Sequence, residues 1–156
     1  MPIVFFACFL LLVSSTVLHY EALRILHLRL PALRIPPRTK LLVVMAGAFL
    51  AHGTEIALFG VAMHALIHLA DAGSLGSAAA SFANCMYLSA ETYTSLGFGD
   101  LTPTGPVRML AGTEALLGLL LIGWSASFTY LSMERFWTPP KITPQNTASA
   151  DEVARP

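Results

Sequence analysis

The nine residues from Thr92 to Asp100 read TYTSLGFGD, and this stretch decides how the rest of the chain is interpreted. Gly97 and Gly99 stand one residue apart, with hydroxyl side chains before them and a carboxylate after them. Because glycine adopts backbone conformations that other residues resist, such a loop can turn successive carbonyl groups in one direction. Carbonyl oxygens arranged in this way can replace the hydration shell of a cation.

The bulk composition indicates a membrane protein. Of the 156 residues, 55% are hydrophobic and only 12% are charged, and the mean hydropathy is +0.66. The formal net charge is zero, which gives no indication of a nucleic-acid partner. Cys8 and Cys85 lie far apart in apolar surroundings, so we expect them to be buried apolar side chains rather than a disulfide or a metal motif.

Three segments are long and apolar enough to predict membrane-spanning helices in an all-α protein. They are Ile3 to Leu18 (continuing through Tyr20), Leu41 to Leu69, and Val107 to Trp137. A cleaved signal peptide is the alternative for the first segment. It is disfavoured because no basic residue precedes Arg24 and no clear small-residue cleavage site follows the apolar run.

The segment from Glu21 to Lys40 collects positive charge between the first two spans. It holds five of the nine Lys and Arg residues, and Pro31, Pro36 and Pro37 interrupt it. Since basic residues concentrate in cytoplasmic loops, we expect this segment to be a cytoplasmic loop. A voltage-sensing helix is disfavoured because the successive gaps between its arginines are five, five and four residues.

The region between the second and third spans predicts a short re-entrant helix. The segment Asp71 to Ser81 is rich in Gly, Ala and Ser and has no basic residue, as suits an outer connection. Phe82 to Thr94 is too short to cross a bilayer but suits a helix that enters and leaves on one side. The negative end of its dipole would then point toward a bound cation.

The loop Ser95 to Asp100 resembles the Thr-Val-Gly-Tyr-Gly-Asp filter of the two-span potassium channel pore family. Three positions are identical, and three carry related residues. The order of spanning helix, re-entrant helix, filter and spanning helix is also similar, over about residues 40–137, so the first span is an addition to that pore. The resemblance implies a homotetramer in the lipid bilayer that binds K⁺ through backbone carbonyls of Ser95, Leu96, Gly97 and Phe98, with Gly99 completing the filter.

The resemblance also implies supporting roles around the filter. Glu91 would share a proton with Asp100 behind the filter, because two adjacent carboxylates cannot both ionise cheaply. Thr94 would support the filter at the end of the re-entrant helix. Gly118 falls where the family's inner helix has its hinge, and close packing against the second span is the alternative. Glu114, one turn earlier, is expected to be buried and neutral or hydrogen-bonded, with its role open.

Departures from the family pattern affect the expected selectivity. Phe98 lacks the tyrosine hydroxyl that usually bonds to the pore helix, Leu96 loses the β-branching of valine, and Tyr87 stands near a position that often holds tryptophan. A weakly selective cation channel is therefore the alternative to a potassium-selective channel. A non-conducting regulatory subunit with the same fold is a further alternative.

The second span carries several ionisable side chains, which allow a different class of function. His52 and Glu55 lie on nearly one face and could sense pH, whereas His64 lies roughly opposite Glu55. His64 and His68 share a face, as haem ligands could in a membrane redox subunit. That alternative is disfavoured because bis-histidine haem needs facing histidines on separate helices and the third span has none.

The sequence thus divides into three parts: residues 1–39, a membrane helix with a basic loop; residues 40–137, an ion channel pore; and residues 138–156, a disordered cytoplasmic tail. We expect passive conduction without enzymatic activity and with no cofactor besides the permeant K⁺. The expected location is the bacterial inner membrane, with the filter on the outer side and the C-terminus in the cytoplasm.

Overall fold

The computed structural model describes residues 1–137. Its four α-helices are α1 (Pro2–Arg29), α2 (Pro37–Ala70), α3 (Phe82–Tyr93) and α4 (Val107–Trp137). No β-strand occurs within this part of the chain, and three helices are long and apolar enough to cross a membrane. The predicted all-α fold with three membrane helices and a short fourth helix is therefore confirmed, whereas the predicted disordered tail lies outside the described residues.

The first helix is longer than the sequence predicted. It continues nine residues beyond Tyr20 to Arg29, and a 3₁₀ turn over Leu30–Ala32 follows it. Leu23 and Leu30 are buried, and an exposed Arg24–Glu21 ion pair lies on the outer face of the helix. Because leucines pack this extension against its neighbours, much of the expected basic loop is helical. The prolines still act as predicted, since α2 begins with Pro37 as its first residue.

The helices pack around one apolar core that α3 enters from one end. Phe59 and Met63 of α2, Cys85 of α3 and Leu110 of α4 are fully buried in it. Ser81 caps the N-terminus of α3 by accepting a hydrogen bond from the Asn84 backbone N–H at 3.2 Å. Both cysteines are free and buried, as predicted.

The loop that follows Gly99 is held against the loop that follows α2. Thr104 donates its backbone N–H to the Ser74 carbonyl at 2.8 Å, and Val107 donates to the Ala72 carbonyl at 3.0 Å. Gly73 has φ +135°, and a Cβ there would lie 2.0 Å from the Thr104 carbonyl oxygen. The chain that leaves the filter is thereby joined to the end of α2.

Candidate functional site

The predicted filter, residues 95–100, is called the filter loop below. Its backbone alternates left-handed and ordinary conformations. Ser95, Gly97 and Gly99 have φ of +57°, +58° and +81°, whereas Leu96 and Phe98 between them do not have positive φ. This alternation lets successive carbonyl groups turn to the same side, which is the geometry a chain of cation sites needs.

Ser95 is the unexpected member of this series. The sequence indicated positive φ only at the two glycines and predicted resistance at the other positions. A left-handed residue with a side chain costs about 1–2 kcal/mol, and such residues persist only where surrounding contacts hold them. Here the Ser95 N–H donates to the Thr92 carbonyl at 3.0 Å, and the Leu96 N–H donates to the Glu91 carbonyl at 2.9 Å. The end of α3 therefore anchors the start of the filter.

Glu91 contacts the filter backbone directly. Its Oε1 accepts a hydrogen bond from the Phe98 N–H at 2.8 Å, and the residue is only 4% exposed. The Tyr87 hydroxyl lies between two carboxylates, 3.4 Å from Glu91 Oε1 and 3.5 Å from Asp100 Oδ1. Within residues 1–137 no hydrogen bond joins Glu91 directly to Asp100. The structure therefore places Glu91 and Asp100 on either side of the Tyr87 hydroxyl. That the two carboxyl groups share a proton stays a prediction.

The Tyr87 hydroxyl remains a donor in this position. Its partial desolvation, followed by the negative charges of Asp100 and Glu91, raises the pKa of Tyr87. A protonated phenol can donate to a carboxylate, whereas a phenolate would repel both acids. The resemblance drew attention to this position for its aromatic ring, but no residue pattern indicated the bridging hydroxyl.

Thr94 supports the helix that precedes the filter. Its hydroxyl donates to the Ala90 carbonyl at 2.8 Å and lies 3.3 Å from the Glu91 carbonyl. Both acceptors belong to the last turn of α3. The side chain therefore stabilises the helix end, and any effect on the filter passes through that turn.

Gly118 lies against the end of α3. A Cβ at this position would be 2.1 Å from the Tyr93 carbonyl oxygen, and α4 is helical throughout this region. The close approach explains why a glycine stands here. It differs from the packing alternative drawn from the sequence, because the nearest atoms belong to α3 and not to α2. The hinge role stays a prediction.

Glu114 is fully buried and hydrogen-bonded, as the sequence suggested. Ser89 donates its hydroxyl to Glu114 Oε1 and also contacts the Ile56 carbonyl at 2.7 Å. Glu114 Oε2 has no hydrogen-bond partner within the described part of the chain. The Ser89 hydroxyl therefore joins α3 to α2 at Ile56 and to α4 at Glu114.

A second polar group lies beneath the end of α3 and includes a residue from α1. We call it the His19–Glu55 cluster; its members are His19, His52, Glu55, Tyr93 and Ser125. The sequence indicated only its His52–Glu55 pair, because that pair is one helical turn apart. His19 approaches from a different helix, and its only sequence signal was an ionisable side chain in a largely apolar span.

His64 and His68 form a separate pair on α2. Their ring centroids are 4.4 Å apart, and His68 Nε2 bonds to the Ala80 carbonyl at 2.8 Å. His64 Nδ1 lies 3.9 Å from Cys85 Sγ. His64 thus contacts α3 and His68 contacts the segment that leads into it, and no histidine of α1 or α4 faces them in residues 1–137.

Comparison with known proteins decides the family. An ion channel family model matches residues 51–134, which is more than half of the chain and contains α3, the filter and most of α2 and α4. The chain belongs to this ion channel family. The resemblance drawn from the filter motif is thereby confirmed, and an ion channel is favoured over a haem-binding redox subunit.

Two curated relatives match parts of the chain. The inward rectifier potassium channel Kirbac3.1 of Paramagnetospirillum magnetotacticum is 33% identical over 97 residues, which cover 61% of this chain and 33% of that protein. Protein LctB of Geobacillus stearothermophilus is 34% identical over 58 residues, 37% of this chain and 43% of that protein. The chain thus covers less than half the length of either relative. No solved structure matches the chain.

Proposed function

We propose that this protein is a potassium-selective channel in which four identical chains surround one pore and K⁺ moves passively down its gradient. The observation that carries the proposal is the alternating backbone of the filter loop at the end of a re-entrant helix. In such a pore, K⁺ would bind to carbonyl oxygens of Ser95, Leu96, Gly97 and Phe98, with Gly99 ending the filter.

The exposed side chains of the filter support an assembly of several chains. Leu96 and Phe98 are 58% and 68% exposed in the single chain, although both are large and apolar. A filter strand left in this state would be unsupported on one side. Neighbouring copies around an axis would cover these side chains and would bring four sets of carbonyl groups together.

The extended apolar surface supports a location in the bilayer. Exposed leucines line α4, among them Leu116, Leu119 and Leu120, each more than 60% exposed. Lipid or a neighbouring chain suits this surface, whereas water does not. We place the filter on the outer side of a bacterial inner membrane, since the basic residues near the start of α2 favour the cytoplasm.

The experiment is ion flux in liposomes that contain the purified protein. Uptake of K⁺ and Rb⁺ should exceed uptake of Na⁺, and Gly97→Ala should abolish it because alanine resists φ +58°. A Cβ at Gly97 meets no atom within 4 Å in the chain, so backbone conformation alone is tested within one subunit. Equal fluxes of K⁺ and Na⁺ would indicate a weakly selective cation pore. Flux that persists in Gly97→Ala would contradict the filter assignment.

A further inference from the structure

Three metal-ligating side chains converge in the His19–Glu55 cluster. His19 Nδ1 lies 2.9 Å from Glu55 Oε1, and His52 Nδ1 lies 3.3 Å from Glu55 Oε2. One donor atom from each of the three residues lies within 4.8 Å of the other two. His19 comes from α1, and the other two come from α2. The donors are therefore already gathered before any ion binds.

The electrostatics of the cluster favour a cation. Glu55 is fully buried in the middle of a membrane-spanning helix, where an uncompensated carboxylate is costly. Its ion-pair partners within residues 1–137 are the two histidines, and no Lys or Arg reaches it. A divalent ion would supply the missing positive charge without requiring either imidazole to be protonated.

We propose that His19, His52 and Glu55 bind a divalent transition-metal ion, and that Zn²⁺ fits this donor set best. Two imidazoles and one carboxylate are ordinary Zn²⁺ ligands, with bonds of about 2.0–2.2 Å. Ligand atoms around a tetrahedral ion at that bond length are about 3.3 Å apart. Each imidazole Nδ1 lies at about this spacing from one oxygen of the carboxylate, His19 at 2.9 Å from Oε1 and His52 at 3.3 Å from Oε2. One donor atom from each residue lies within 4.8 Å of the other two, so the three must draw together around the ion.

The surroundings suit a metal ligand at His19. Its other ring nitrogen, Nε2, lies 3.2 Å from the Ser125 hydroxyl. A hydroxyl can donate or accept, so it satisfies Nε2 in either tautomer of the imidazole. When Nδ1 binds the ion, Nε2 carries the proton and donates to Ser125, which is the outer contact that metal-bound histidines usually make.

The Tyr93 hydroxyl offers a fourth donor atom beside these three residues. Its hydroxyl lies 2.8 Å from His52 Nδ1 and donates to Glu55 Oε2. It can ligate the ion or hold a fourth ligand. The His52 side chain retains 17% exposure, whereas those of His19 and Glu55 are fully buried. A bound ion would tie α1 and α2 to the end of α3.

The test measures Zn²⁺ binding to the purified full chain without an affinity tag. All proteins carry His64→Gln and His68→Gln, because that pair on α2 could bind zinc by itself. We expect one Zn²⁺ per chain by elemental analysis and calorimetry in this background. Adding His19→Gln, His52→Gln or Glu55→Gln should weaken binding at least a hundredfold, and Ser125→Ala should weaken it about tenfold.

The result that overturns the inference is absence of Zn²⁺ from the background protein, or binding that all three ligand substitutions leave unchanged. The cluster would then be a hydrogen-bonded network only. Co²⁺ provides a measurement that does not depend on the variants folding. The background protein should show the visible absorption of four-coordinate Co²⁺, and no Co²⁺ uptake would also refute the site. Because every readout is binding, failure here would leave the proposed conduction untouched.

Discussion

Replacing Gly118 by alanine tests whether this position of α4 needs glycine for close packing or for helix bending. The added Cβ would lie 2.1 Å from the Tyr93 carbonyl oxygen and 3.0 Å from the Tyr93 Cα, so it meets backbone and not a flexible side chain. Ordinary contact begins at 3.4 Å, and α3 or α4 must therefore move by about 1.3 Å to reach it (3.4 minus 2.1). Such a movement would also displace the residue that leads into the filter.

The expected cost follows from two opposing effects. Overpacking a tight contact destabilises a protein by about 1–3 kcal/mol, and the rigid partner here places Gly118→Ala at the upper end. Alanine recovers about 1 kcal/mol of helix propensity over glycine. The net loss is about 2 kcal/mol per chain. For a chain of this length that corresponds to a melting temperature about 4–8 °C lower.

Thermal unfolding in detergent, followed by the fluorescence of Trp124 and Trp137, measures this effect. Gly123→Ala is the matched control, because it lies on the same helix and its Cβ would meet nothing within 4 Å in the chain. The control should melt about 2–4 °C above the wild type. A Gly118→Ala protein that is as stable as the control would refute the packing argument and would favour a pure hinge.

Three further substitutions test the contacts around the filter. Glu91→Leu removes the acceptor of the Phe98 N–H and leaves that donor without its partner, at a cost of about 1–3 kcal/mol; currents should inactivate faster. Tyr93→Phe deletes a hydroxyl from the His19–Glu55 cluster and should lower the free energy of unfolding by about 1–3 kcal/mol, measured by urea titration. Gly60→Ala meets the flexible Met86 Sδ at 2.6 Å and the Met86 Cα at 3.1 Å, so it should cost about 1 kcal/mol in the same titration, less than Gly118→Ala.

The first two of these substitutions have a matched control. Glu91→Gln keeps an oxygen acceptor and should inactivate more slowly than the leucine variant, and its pH profile should differ from that of the wild type if the acid pair shares a proton. Tyr130→Phe alters an exposed tyrosine and should leave the unfolding titration unchanged. Leucine and glutamine variants with the same inactivation rate would argue against the Phe98 hydrogen bond, and a strongly destabilised Gly60→Ala would show that Met86 cannot move.

The helices and their order could be predicted because lipid imposes a simple rule on composition. Long apolar runs predicted α2 and α4, and the predicted bounds of α4 are those observed. The short apolar run from Phe82 predicted α3. The end of α1 was missed because charges at Arg24 and Arg29 indicated a loop, whereas Leu23 and Leu30 pack the segment as helix. Local charge was outweighed by packing that only the folded chain provides.

The site was predicted only where the motif itself carried the information. The two glycines predicted positive φ at their own positions. Ser95 has the same conformation, although serine does not predict it. The contact of Gly118 with Tyr93 and the approach of His19 to Glu55 join residues far apart in sequence. Such contacts depend on helix rotation, which hydropathy leaves unspecified when most of a helix surface faces lipid.

The most direct test of the central claim is to locate heavy ions in crystals of the protein grown with Tl⁺ or Rb⁺. Anomalous density should lie in a row on a fourfold axis, at coordination distance from the carbonyl oxygens of Ser95, Leu96, Gly97 and Phe98. Filter loops far from a shared axis, or an axis with no ions beside these oxygens, would contradict the account.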